Sequence, residues 1–262
     1  MVGAVIGDIA GSRFEFRNTK KKDFEMFHKR CRFTDDTIMS LAVCQALLNS
    51  MPDYKNLSEN TIKSMQKLAE MYPKRGYGRN FYKWLISENP VPYESYGNGS
   101  AMRVSGCGYA GKSIDEVKYL SNEVTKISHN HIEGLKGAEA TAVAVFLARS
   151  GKNIAEIKDY ITKNYYNIDF TLDEIRPDYK YEVSCQETVP QAMQAFFESV
   201  SFEDAIRNAI SLGGDSDTIG AITGAIAGAY YGVPDDIKRT ALLFLDDNLK
   251  KILSDFENTF VK

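Results

Sequence analysis

The sequence has little of what would assign it quickly. Four cysteines stand apart at positions 31, 44, 107 and 185, with no Cys-x-x-Cys pair and only three histidines in 262 residues. That spacing argues against a zinc site or a disulfide framework and fits a reducing, cytoplasmic setting. No apolar run reaches the roughly 20 residues a bilayer span needs, so no membrane association is expected. The first residues do not read as a signal peptide, because they lack a basic start and Asp8 interrupts the apolar stretch. Charge is nearly balanced, with 32 basic and 35 acidic residues for a net −3. This leaves no basic footprint for nucleic acid, although a nucleic-acid-borne substrate is not thereby excluded. Alternating apolar and polar runs bounded by hairpin turns are missing too, so no segment reads as a strand.

Helical period fills the space those absences leave. The expectation is an all-α protein, one compact multi-helix domain over residues 1–262, with 44% apolar residues to build its core. Its most informative stretch is Gly213–Gly232. A turn, Gly213-Gly214-Asp215-Ser216-Asp217-Thr218, leads into a helix with glycine at 220, 224, 228 and 232. Glycine costs about 1 kcal/mol relative to alanine inside a helix, so four at spacing four imply a face that another backbone approaches closely. The opening residues repeat the theme with Gly3, Gly7 and Gly11. The two striped helices are therefore expected to meet at the centre of the fold. Pro234 to about Glu257 reads as one final helix, with Asp246-Asp247 late within it. Phe16–Arg32 loses all periodicity and reads as an exposed loop, a candidate lid.

Acids gather at helix starts. Asp35 and Asp36 follow Thr34 and open a helix that is apolar almost all round; Asp215 and Asp217 open the glycine-striped one. Glu15 stands at the edge of the loop. If these starts converge, several anions share a small volume, and two unit charges 4 Å apart in a partly screened site repel by about 4 kcal/mol. Protons or cations must offset that repulsion. Thr34, Ser216 and Thr218 add hydroxyl oxygens, and an all-oxygen set without sulfur selects a hard cation: Mg²⁺ first, with Mn²⁺ or Ca²⁺ as alternatives. Gly97-Asn98-Gly99-Ser100 is a glycine turn of the kind that presents free N–H groups to an anion. His129 and His131, two residues apart with no third histidine nearby, suit capping or ligand contact better than zinc.

Taken together, Gly7-Asp8-Ile9-Ala10-Gly11-Ser12-x-x-Glu15, Phe33-Thr34-Asp35-Asp36-Thr37, Gly97-Asn98-Gly99-Ser100-Ala101-Met102-Arg103, Ser128-His129 and Gly213-Gly214-Asp215-Ser216-Asp217-Thr218 resemble the ADP-ribosylglycohydrolase family. The motifs fall in family order across nearly the whole chain. The resemblance implies an all-α fold with a dinuclear Mg²⁺ or Mn²⁺ centre. It also implies hydrolysis of the bond from the anomeric carbon of ADP-ribose to an acceptor. By motif position, Thr34, Asp35, Asp36, Asp215, Asp217 and Thr218 should hold the metals. Glu15, Asp35 and Asp36 are then the candidates for acid–base work, Gly97, Asn98, Gly99 and Ser100 for contact with the diphosphate and ribose, and His129 for the adenosine portion. The implied partner is an ADP-ribosylated protein, modified on arginine or serine, or a small ADP-ribose derivative. One departure is Gly106-Cys107, where relatives often carry proline; it bears on substrate fit more than on catalysis. Two other readings compete. One is a non-catalytic ADP-ribose reader on the same fold. The other is an isoprenoid-synthase-like enzyme, which wants Asp-Asp-x-x-Asp where this chain has Met39.

Overall fold

The computed structural model describes residues 1–261, and among these every regular element is helical. The helices are α1 (Val2–Gly11), α2 (Asp35–Asn49), α3 (Leu57–Met71), α4 (Arg79–Leu85) and α5 (Ser105–Ala110). There follow α6 (Ile114–Thr125), α7 (Ile132–Arg149), α8 (Ile154–Asn164), the single turn α9 (Leu172–Ile175) and α10 (Cys185–Phe197). The chain closes with α11 (Phe202–Ser211), α12 (Ser216–Tyr231), α13 (Asp235–Leu242) and α14 (Asp247–Phe260).

At the centre, α1 and α12 run antiparallel with their backbones in contact. A Cβ added to Gly3 would lie 2.1 Å from the carbonyl oxygen of Gly224; one on Gly7 would lie 1.9 Å from that of Gly220; one on Gly11, 2.3 Å from that of Ser216. The expected meeting of the two stripes is therefore present. Gly228 continues it against Gly3, while Gly232 departs from it and ends the helix with φ of +74°. All of α1, and α12 from Ser216 to Ala227, is buried. Antiparallel packing has a direct consequence for the site. It sets the C-terminal end of α1, and with it Glu15, beside the N-terminal end of α12, where Asp215 and Asp217 stand.

The start of α2 is pinned to the same place by Asp8. This carboxylate sits within buried α1 and accepts from the Thr34 N–H at 2.9 Å, the Thr34 hydroxyl at 2.7 Å, the Thr37 N–H at 3.1 Å and the Thr37 hydroxyl. A buried carboxylate is costly unless hydrogen-bonded, and here four donors satisfy it. Thr34 also caps its own helix, its hydroxyl oxygen accepting from the Asp36 N–H.

The final stretch departs from expectation. It is two helices rather than one, broken at Leu243–Asp246. Asp246 is not late in a helix but the N-cap of α14, its carboxylate accepting from the Leu249 N–H at 3.0 Å and from the Tyr72 hydroxyl at 3.0 Å. Leu245 is buried at the break while Leu243 stays exposed. A helix continued through this point would forfeit the cap and the tie to Tyr72.

Candidate functional site

A cavity of about 560 Å³ opens where the starts of α2 and α12 meet. Glu15, Asp35, Asp36, Asp215, Asp217 and Thr218 all line it. Glu15, Asp215 and Asp217 each bring one carboxylate oxygen to within 4.8 Å of the others, a set that could hold a metal ion. Asp36 adds a buried Oδ1 with no hydrogen-bond partner. Asp35 is backed by Gly76, whose φ of +109° and missing Cβ accommodate the Asp35 carboxylate; a Cβ there would lie 2.7 Å from Oδ1. Thr34 faces Asp8 and is not part of the cavity wall.

The loop that carries Glu15 is laced down. Gly213 and Gly214 take left-handed conformations, with φ of +73° and +69°, which glycine adopts without steric cost. Their turn exposes both polar groups of Gly214 to the Asn18 side chain. The amide donates to the Gly214 carbonyl at 2.9 Å and accepts from its N–H at 2.9 Å. Lys20 Nζ donates to the Leu212 carbonyl at 2.6 Å. Phe16, largely exposed, stacks on Tyr181 from the irregular segment after α9, with centroids 6.1 Å apart.

Crowding shows in the acid–base behaviour. Burial first, and the Asp215 carboxylate next, push Glu15 up to about 7. Asp35 and Asp36 are held well above the usual carboxylate range by burial and then by Asp8. Asp217 is held high by burial and then by Asp215 and Asp36. Asp215 is raised by burial, with hydrogen bonds from Asp217 and Asn98 working against it. Each shift says that this group of carboxylates wants protons or cations.

The opposite wall has another character. Gly97, Asn98, Gly99 and His129 line the cavity there, with Tyr93 and Arg103 behind them. The Asn98 amide is used within the protein, donating to Asp215 Oδ2 at 2.8 Å and to Thr188 Oγ1 at 3.2 Å. Ser100 is fully buried and outside the cavity wall; its hydroxyl lies 2.9 Å from the Gly134 carbonyl. What this turn offers a ligand is thus its glycine backbone. His131 does not join His129. It caps α7, its Nδ1 accepting from the Glu133 N–H at 3.1 Å.

Sequence reasoning gave no role to Asp8 or Arg103. For Asp8 the available signal was an acid inside a helix with no other polar residue before Ser12. For Arg103 it was a cation in an otherwise apolar and small-residue run, Ala101–Ala110.

The sequence profile of the ADP-ribosylglycohydrolase family matches residues 1–259. The chain belongs to the ADP-ribosylglycohydrolase family. It is 26% identical to the ADP-ribosylhydrolase ARH3 of Homo sapiens, over 89% of this chain and 84% of that one. It is also 26% identical to the ADP-ribosyl-[dinitrogen reductase] glycohydrolase of Rhodospirillum rubrum, over 95% of this chain and 90% of the relative. A solved structure titled ADP-ribosylglycohydrolase-related protein complex superposes with a TM-score of 0.70 at 21% identity, covering 99% of this chain and 96% of that one. That likeness supports the all-α architecture. As a member of this family the chain is a glycohydrolase, and no helix among the described residues is long and apolar enough to cross a membrane.

Proposed function

We propose that the chain hydrolyses the bond between the anomeric carbon of ADP-ribose and an acceptor side chain, arginine or serine, in a modified protein. The metal centre in this reading is two Mg²⁺ ions, with Mn²⁺ as an alternative, held by Asp35, Asp36, Asp215, Asp217 and Thr218, with Thr34 at the edge of the set, its hydroxyl hydrogen given to Asp8 and its oxygen lone pairs left for the ion or the Asp36 N–H. Supporting it above all is the buried carboxylate group around the unpartnered Asp36 Oδ1. Its donors are all oxygen, as hard cations require. When bound, such ions offset the carboxylate repulsion and polarise their ligands.

The protein's own groups supply the rest. Cleavage at an anomeric carbon develops positive charge on the sugar, and carboxylates facing it stabilise that charge. Glu15 is half-buried and stands outside the helices that fix the other acids. With its pKa near neutrality it is suited to take a proton from the attacking water. Asp35 and Asp36 remain the alternatives for that role. The Gly97–Gly99 backbone and His129 orient the nucleotide, and Phe16 with Tyr181 borders the acceptor side.

The test is release of ADP-ribose from matched arginine-linked and serine-linked peptides, with Mg²⁺ and with chelator. Mg²⁺-dependent release from one peptide is expected. Tight ADP-ribose binding without release from either would favour a reader instead.

A further inference from the structure

Arg103 is a fully buried side-chain cation, with no exposed surface. Its Nη2 donates to Ser128 Oγ at 2.7 Å and more weakly to the Val124 carbonyl at 3.4 Å. Its Nε and Nη1 have no partner, and no carboxylate pairs with it among the described residues. A guanidinium buried this way, with the Phe81 ring 5.3 Å from its centre as its aromatic neighbour, costs stability. The next link is Ser128 Oγ, which lies 2.9 Å from His129 Nδ1.

Proton counting decides the direction of that link. Arginine only donates, so Ser128 Oγ must accept from it. The serine hydroxyl then has one hydrogen to place, and no acceptor other than His129 Nδ1 lies within reach among the described residues. Were Nδ1 protonated instead, the serine hydrogen would be buried without a partner. Nδ1 is therefore bare, and the ring proton sits on Nε2. Burial, and the Arg103 charge next, hold the imidazole well below its usual pKa, which keeps the ring neutral. Nε2 itself makes no hydrogen bond among the described residues. It lies beside Gly97 and Gly99, where a Cβ would sit 3.7 Å and 3.5 Å from it and cover it. The glycines leave it open to the cavity.

We propose that Arg103 and Ser128 are positioning residues that fix His129 as the neutral Nε2–H tautomer, so that it donates a hydrogen bond to an acceptor atom of the bound nucleotide. The nucleotide rests on the function proposed above; the tautomer does not. A donor wired in this way selects an oxygen or a bare ring nitrogen and rejects a protonated group. It also does so without the desolvation cost of a full charge at the contact.

The experiment is ¹⁵N NMR of imidazole-labelled protein, with three histidines to assign. The ligand-free chain should show His129 Nδ1 as a bare nitrogen and Nε2 as a protonated one at neutral pH. A protonated Nδ1, or an imidazolium signature at neutral pH, would overturn the assignment. Ser128→Ala should mix the two tautomers and weaken binding of ADP-ribose about tenfold, while the His28 and His131 signals and Mg²⁺ uptake stay as they were. A pure Nε2–H ring with full affinity in that variant would equally overturn it. Should Ser128→Ala fail to fold, the wild-type spectrum decides alone. Should the wild type not bind ADP-ribose, the proposed function fails while the spectrum still decides the tautomer.

Discussion

On one side of the cavity, five carboxylates face one another with no ion-pair partner among the described residues; on the other, a guanidinium is buried with no carboxylate among them. The fold could have relieved both by pairing them, and does not. The acidic wall is built from the rigid starts of α2 and α12 and the loop after α1, with Glu15, Asp215 and Asp217 drawn together by the α1–α12 seam and Asp35 and Asp36 anchored through Asp8. The basic wall is built from a glycine turn and a serine–histidine link. Unrelieved charge of opposite sign within one cavity is what a ligand with matching parts would complete: cations on the acidic wall, and a neutral-donor contact backed by positive charge on the other.

The largest break comes from the acidic wall. Asp217→Asn should lower turnover by about a thousandfold or more and reduce Mg²⁺ uptake, while raising the melting temperature of the metal-free protein by relieving like-charge repulsion. Full turnover in the folded variant would sink the assignment. Asp8→Asn should act on the same wall through its support. An amide cannot accept from all four donors on Thr34 and Thr37, so the loss should be about 3 kcal/mol by denaturant unfolding. A change within experimental error would show that Asp8 does not hold α2.

The basic wall should break separately. Arg103→Met is expected to weaken ADP-ribose binding about tenfold with Mg²⁺ uptake intact, at little cost in stability. Loss of both bindings together would deny that the walls act independently.

The smallest effect is in pH. The clustered carboxyls have folded pKa values above their unfolded ones, so protonation stabilises the metal-free chain at low pH. That stability is lost as pH rises through the folded values, about 7 for Glu15. Mg²⁺ competes with those protons, so the melting-temperature gain it confers should grow from about pH 6 to about pH 8. His129 and the amino terminus, both lowered by burial, shift the two curves alike and cancel in the difference. A gain that does not change with pH would contradict the account.

How far the sequence foretold this differs between the walls. Four of the acids were legible because they announce helix starts, Glu15 because it stands at the edge of a run without period, and the seam because glycine at spacing four has few other uses. The role of Asp8 was hidden because its partners lie 26 and 29 residues away and only tertiary packing brings them. The break before α14 was hidden because the apolar period runs on through Leu243–Leu245, and Asp246 declares itself a cap only once Tyr72 is beside it. Ser100 turned inward for a similar reason: the Gly134 carbonyl that receives it comes from another helix. Tyr181 lines the cavity from a segment with no period to read.

The acidic wall is read here as a metal centre above all else. Calorimetric titration of chelator-stripped protein with Mg²⁺ at about pH 7, where Glu15 still holds part of its proton, decides this. Uptake of two ions per chain, with release of protons, is the predicted result. A chain that takes up neither Mg²⁺ nor Mn²⁺ while remaining folded would contradict it.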